Sequence, residues 1–168
     1  MLVLGIDPGL SCTAWALAQP CGPKPRIIMT GVVKVTDEPD KLLRALRIAS
    51  YTALQYSQAI ISARVTAVIE RAPAMYSTRP RGAADADLNF LIGAIAYAIY
   101  ERCPNPPDLN FVYPATWRTQ VLGAANIQPD KATICSVFDV LDPKAMLANA
   151  DLRDAVCIAG WGARTIQA

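Results

Sequence analysis

Apolar and polar positions fall in blocks along this chain, and the block boundaries predict its elements. Leu2 to Asp7 (LVLGID) is a short apolar run closed by Pro8-Gly9, the pattern of a buried strand entering a turn. Thr13–Leu17 and Arg26–Val35 predict a second and a third strand, separated by the turn residues Gly22-Pro23-Lys24-Pro25. Neighbouring strands with links this short predict an antiparallel meander. From Asp40 to about Ala63 the period changes: Leu42, Leu43, Leu46, Ala49, Ala53 and Leu54 keep helical spacing, with Arg44 and Arg47 off that stripe. Val65–Glu70 (VTAVIE) predicts a fourth strand that ends in a carboxylate. Residues 71–84, rich in proline, glycine and arginine, read as a loop.

Asp85–Cys103 then predicts an apolar helix, broken by Pro104–Asp108, and Asn110–Tyr113 a brief fifth strand. After Ala115 the pattern is helical again, in pieces divided by Gly123 and Asp142-Pro143, and Asn149 suits the N-cap of a last helix from Ala150 to about Arg164. The sum is one α/β domain over residues 1–168: a mixed five-stranded sheet, a three-strand antiparallel meander plus two parallel strands, flanked by helices.

Composition narrows the chemistry mainly by an absence. The chain has no histidine, which excludes Ser-His-Asp and Cys-His catalysis and His-ligated zinc. Its five cysteines show no C-x-x-C spacing and, without a secretory leader, read as reduced thiols of a cytoplasmic protein. The longest apolar run, Leu88–Tyr100, falls short of the ~20 residues of a membrane span. The formal net charge of +2 is compatible with a nucleic-acid partner without demanding one. An enzyme of this composition must work with carboxylates, a hard metal ion, or Lys, Tyr or Cys.

The carboxylates are placed for that work. Asp7 and Glu70 end two apolar strands that would lie side by side, and Asp151 and Asp154, three residues apart, share one face of the last helix with Ile158 and Trp161. Packing that apolar stripe on the sheet carries both aspartates down towards the strand ends. Each acid alone has a plain reading, as a turn residue, a solvated strand end or a complement to a helix dipole. Together they repel, and divalent cations relieve that repulsion. Mg²⁺ takes oxygen ligands and works with phosphates, so the set points to phosphoryl transfer on nucleic acid.

At this point the motifs resemble a known family. LGIDPGLSCTAWAL is similar to the opening of RuvC-type Holliday junction resolvases, VIER to their second acidic motif, YPATWRTQVLG to their Y-x-P segment with a following basic residue and V-x-G, and NADLRDAVCIA to their final D-x-x-D-A helix. The motifs follow the family's order across residues 2–159. The resemblance implies an RNase H-like fold, a homodimer, and two Mg²⁺ or Mn²⁺ ions per active site, with symmetric nicking of a four-way DNA junction. It places Asp7, Glu70, Asp151 and Asp154 on the acidic catalytic and metal-binding positions, Arg118 on a basic position that is usually Lys, and Lys131 near a second, DNA-contacting one. The family's usual Gln after the second acid is Arg71 here, and the next loop lacks its Phe; Met75 or Tyr76 would enter the junction instead, which marks a divergent or phage-type member. Arg71, Arg79 and Arg81 flank that loop and are further candidates for phosphate contacts, whereas Arg153 reads equally as a partner of a nearby acid. A broader branched-DNA or non-specific nuclease with the same metal centre and a non-catalytic DNA-binding module are the alternatives. An actin-like ATPase would need a longer chain and a second phosphate motif.

Overall fold

A computed structural model describes residues 1–59, 63–71, 83–102 and 106–165. The elements run β1 (Leu2–Asp7), β2 (Cys12–Gln19), β3 (Arg26–Lys34), α1 (Lys41–Ala59), β4 (Val65–Glu70), α2 (Ala83–Arg102), β5 (Asp108–Val112), α3 (Pro114–Leu122), α4 (Lys131–Val137), β6 (Asp139–Val140), α5 (Pro143–Met146) and α6 (Ala150–Thr165). They build one mixed sheet in the order β5-β4-β1-β2-β3-β6. β1, β2 and β3 form the predicted antiparallel meander, and β4 and β5 add in parallel on the other side of β1. β1 and β4 are buried on both faces, which is why they read as continuous apolar runs rather than alternating ones.

The sheet has six strands where the sequence predicts five. The extra one, β6, pairs in parallel with Arg26 and Ile27 at the far edge. It is held by Asp139 N–H donating to Pro25 O at 3.0 Å and by an Arg26–Asp139 ion pair at 2.7 Å. Two residues between helices carry no period, so only the tertiary partner defines this strand. β5 likewise starts earlier than expected and stops at Val112, because Tyr113 becomes the extended N-cap of α3 with Pro114 in the first helical turn.

Helices cover both faces. One core joins the sheet to α6 through Val3, Ala14, Ala16, Ala18 and Val68, and the other joins it to α1 and α2 through Leu4, Ile6, Trp15, Leu17 and Ile69. The buried stripe of α1 differs from the one predicted. Ala45, Ile48, Ala49, Thr52, Ala53 and Tyr56 face inward, while Leu42, Leu43, Leu46 and Leu54 are exposed. The inward set recurs without a gap along the helix and ends in a large ring, whereas three of the four leucines cluster at the start. Thr52 satisfies its buried hydroxyl by donating to Ile48 O at 2.8 Å. On α2, Leu91, Ile92, Ile95 and Ile99 are buried, and Phe90, Tyr97 and Tyr100 face outward. Among the described residues no helix is long and apolar enough to cross a membrane.

Candidate active site

The site starts from a register. β1 and β4 run parallel with Ile6 opposite Ile69, so Asp7 and Glu70 end neighbouring strands at the same edge of the sheet. Alternation then sets their direction. Val3 and Gly5 on β1, and Val68 on β4, face α6, so Asp7 and Glu70 face it too. The turn after Asp7 is tight: a Cβ on Gly9 would stand 2.4 Å from Cys12 O, and Gly9 N–H donates to Thr13 Oγ1 at 3.3 Å.

α6 comes down on these strands more closely than most helices can. A Cβ on Gly5 would meet Ala159 N at 2.3 Å and Ala155 O at 2.7 Å, so the backbone of α6 rests directly on β1. Gly162 faces Val3 and Val68 further along, so α6 runs against the direction of β1 and its first turn lies over the strand ends. Asn149 caps that turn as expected, its Oδ1 accepting from Leu152 N–H at 2.8 Å. Asp151 and Asp154 project from it.

The charges register the result. Burial raises the Asp7 carboxyl to about 8, and the negative charges of Glu70, Asp154 and Asp151 push in the same direction against Arg118. Glu70 is also raised by burial, with Trp117 and Arg118 opposing, and Asp154 is raised by burial with Arg118 opposing. All four predicted acids therefore sense one another, directly or through Asp7.

Each of the flanking acids is held by a neighbour. The fully buried Trp117 donates its Nε1–H to Glu70 Oε2 at 2.6 Å. Arg118 stacks on the Trp117 ring at 4.9 Å and pairs with Asp154 Oδ2 at 3.1 Å. Burial raises the Cys12 thiol to about 11, and the neighbouring Asp151 carboxylate pushes the same way. Burial and the charge of Asp154 raise Cys157 as well. Arg118 Nε and Asp154 Oδ1 are buried and unpartnered.

Among the described residues no group of three or more acids and thiols stands ready to hold a metal ion in this side-chain arrangement. The Arg118 guanidinium occupies part of the charge-balancing role instead. The donor set itself suits a hard divalent ion: it is all carboxylate oxygen, it contains an orphaned oxygen on Asp154, and burial together with three neighbouring carboxylates raises its central acid.

The other candidates scatter. Arg118 lies inside the acid cluster rather than out towards solvent. Lys131 is exposed at the start of α4. Arg71 is exposed beside Glu70, with its guanidinium 5.2 Å from the Tyr113 ring and 5.8 Å from the Phe111 ring. Arg153 Nε donates to Asn149 O at 3.2 Å on its own helix. Met75, Tyr76, Arg79 and Arg81 lie outside the described residues. Trp117, Cys12, Phe111 and Tyr113 are additions of the structure. For Trp117 the sequence offers one signal, its place directly before Arg118 in the Y-x-P-like segment.

No protein-family model matches the chain, and no curated protein matches it in sequence. Solved structures do match it in fold. A Thermus thermophilus RuvC in complex with a Holliday junction substrate superimposes with a TM-score of 0.73 at 17% identity, over 99% of this chain and 95% of that one. The yeast mitochondrial Holliday junction resolvase Ydc2 gives 0.65 at 14% identity, over 96% and 77%. A fowlpox virus resolvase in complex with its substrate Holliday junction DNA gives 0.57 at 10% identity, over 100% of both chains. The chain has the RNase H-like fold of the RuvC-type resolvases.

Proposed function

We propose that this chain is a single-domain, metal-dependent endonuclease that resolves four-way DNA junctions by nicking symmetrically related strands. The observation that carries this reading is the meeting of Asp7, Glu70, Asp151 and Asp154 on one face of the sheet, with Asp7 raised to about 8 by burial and its acidic neighbours. The fold adds support, since two of the similar structures contain Holliday junction DNA. The four acids would hold two Mg²⁺ or Mn²⁺ ions, which supply water activation and stabilisation of the leaving oxygen in phosphodiester hydrolysis. Trp117 fixes the rotamer of Glu70, Arg118 balances the cluster until cations arrive, and the helix start at Asn149 sets the height of Asp151 and Asp154 over Asp7.

DNA would be positioned by Arg71, Arg118 and Lys131, together with Arg79, Arg81, Met75 and Tyr76 of the intervening loop. A homodimer would place two such centres on one junction. The outward Phe90, Tyr97 and Tyr100 of α2 supply apolar surface for it. Light scattering should then give twice the 18.1 kDa chain mass; a monomer mass would remove the dimer. The cytoplasm is the expected compartment.

The direct test is a synthetic immobile four-way junction incubated with Mg²⁺ or with chelator and read on a denaturing gel. Paired symmetric nicks that require Mg²⁺ and are absent from duplex and Y-shaped DNA are expected. Equal cutting of all substrates would indicate a broader branched-DNA nuclease, and no cutting of any would reject the nuclease. A second expectation concerns Trp117→Phe. Its ring still fills the site, but Glu70 loses the donor that holds its pKa down. The acidic limb of the pH–rate profile should therefore move to higher pH, with a stability loss of about 1–3 kcal/mol in denaturant melts.

A further inference from the structure

On the opposite side of β4 from Glu70 the structure holds an arrangement that the acid cluster does not use. Arg71 follows Glu70 directly, and its N–H donates to Val112 O at 2.8 Å, which fixes it to the edge strand β5. β4 and β5 pair with Ile69 opposite Phe111 and Glu70 opposite Val112, so Phe111, Arg71 and Tyr113 share the face turned away from α6. The Arg71 guanidinium sits within cation–π range of both rings, at 5.8 Å and 5.2 Å. Phe111, on the edge strand β5, is 45% exposed, and Tyr113, just past the end of that strand, is 37% exposed. Among the described residues no carboxylate pairs with Arg71, so its charge is left for an outside anion.

Two half-exposed rings around an uncompensated planar cation suit one kind of occupant, a flat aromatic group that carries a phosphate. Every base has a π-face that such rings accept without regard to sequence, but in a continuous duplex those faces are covered by neighbouring bases. A branch point uncovers them. Because Arg71 and Glu70 are consecutive, a base on this surface belongs to a nucleotide close to the phosphate at the acids. We propose that Phe111, Arg71 and Tyr113 form a stacking platform for an unpaired nucleobase near the cut, a proposal that rests on the branched-DNA reading above. The platform holds the strand's base on one side of β4 while the acids face its phosphate on the other.

The test uses four-way junctions carrying 2-aminopurine at successive positions around the branch, with metal chelated so that binding is read without cutting. The full-length protein should quench the probe at one position and bind the junction. Phe111→Leu and Tyr113→Leu keep apolar cover at the end of β5 and the start of α3. Each should abolish that quench and weaken binding on the order of tenfold, with an unchanged melting temperature. Arg71→Lys keeps the charge but loses the plane, so it should retain salt-sensitive binding and lose most of the quench; this variant decides the matter if either leucine variant proves unstable. Folded variants that bind and quench like the parent overturn the platform. If the parent binds and cuts junctions while these variants are unaffected, the platform alone fails, whereas a parent that binds no junction removes the branched-DNA reading with it.

Discussion

Asp7→Asn is expected to abolish junction cutting and, in chelator, to raise the melting temperature of the protein at pH 8 by roughly 5 °C. The first effect follows from the position of Asp7 among the other acids: under the proposed function it would be a central metal ligand, and its loss would remove several kcal/mol of transition-state stabilisation, on the order of a thousandfold in rate or more. The second follows from linkage. Asp7 titrates near 8 in the folded chain and at the ordinary carboxyl value of 3.8 when unfolded, so between those values the folded state keeps a proton that the unfolded state releases. Stability of the metal-free protein therefore falls as pH rises from about 4 to 8, by at most about 1.4 kcal/mol per pH unit for one proton. Asparagine has no proton to lose, so the variant's melting temperature should be flat where the parent's declines. Added Mg²⁺ should restore the parent, and more so at the alkaline end. A parent whose melting temperature in chelator is independent of pH across this window would contradict the acid cluster.

Gly5→Ala should be nearly as damaging without touching a charge. The new methyl would stand 2.3 Å from Ala159 N and 2.7 Å from Ala155 O, both backbone atoms of α6 that no rotamer change can move. The helix must lift from β1, which costs about 3 kcal/mol, or roughly 10 °C in a chain of this length. Because α6 carries Asp151 and Asp154 while β1 carries Asp7, the lift also separates the acids. Cutting should fall further than the loss of folded protein explains, measured at a temperature where the variant is still folded. Activity in proportion to the folded fraction would show that the close contact supports the fold alone.

Those two residues also mark what was legible in the sequence. Asp7 and Glu70 were visible because each interrupts an apolar strand at its end, and Asp151 with Asp154 because a helical stripe passes through Ile158. The meander, the parallel pair and the N-cap at Asn149 follow from the same local patterns. Gly5 was hidden: a glycine within an apolar strand gives no sign of which helix lies on it. The leucines of α1 misled for a related reason, since hydrophobicity marks a stripe but the partner helix decides between a large and a small one. β6 exists only through its pairing with β3. The bond from Trp117 to Glu70 joins residues 47 apart, and the ion pair from Arg118 to Asp154 joins residues 36 apart, distances over which a single sequence carries no pairing signal.

The burial of Cys12 beside the acids has a chemical consequence beyond geometry. Attack on electrophiles and oxidation both proceed through the thiolate, and the surroundings that keep Asp7 protonated also suppress that form at Cys12 and Cys157. Mild alkylating reagents and peroxide should pass these sulfurs by and modify the exposed Cys21 and Cys135 instead. The acids thus shelter the only thiols in their vicinity among the described residues, and the same two outer cysteines become natural attachment points for probes that leave the acid cluster untouched.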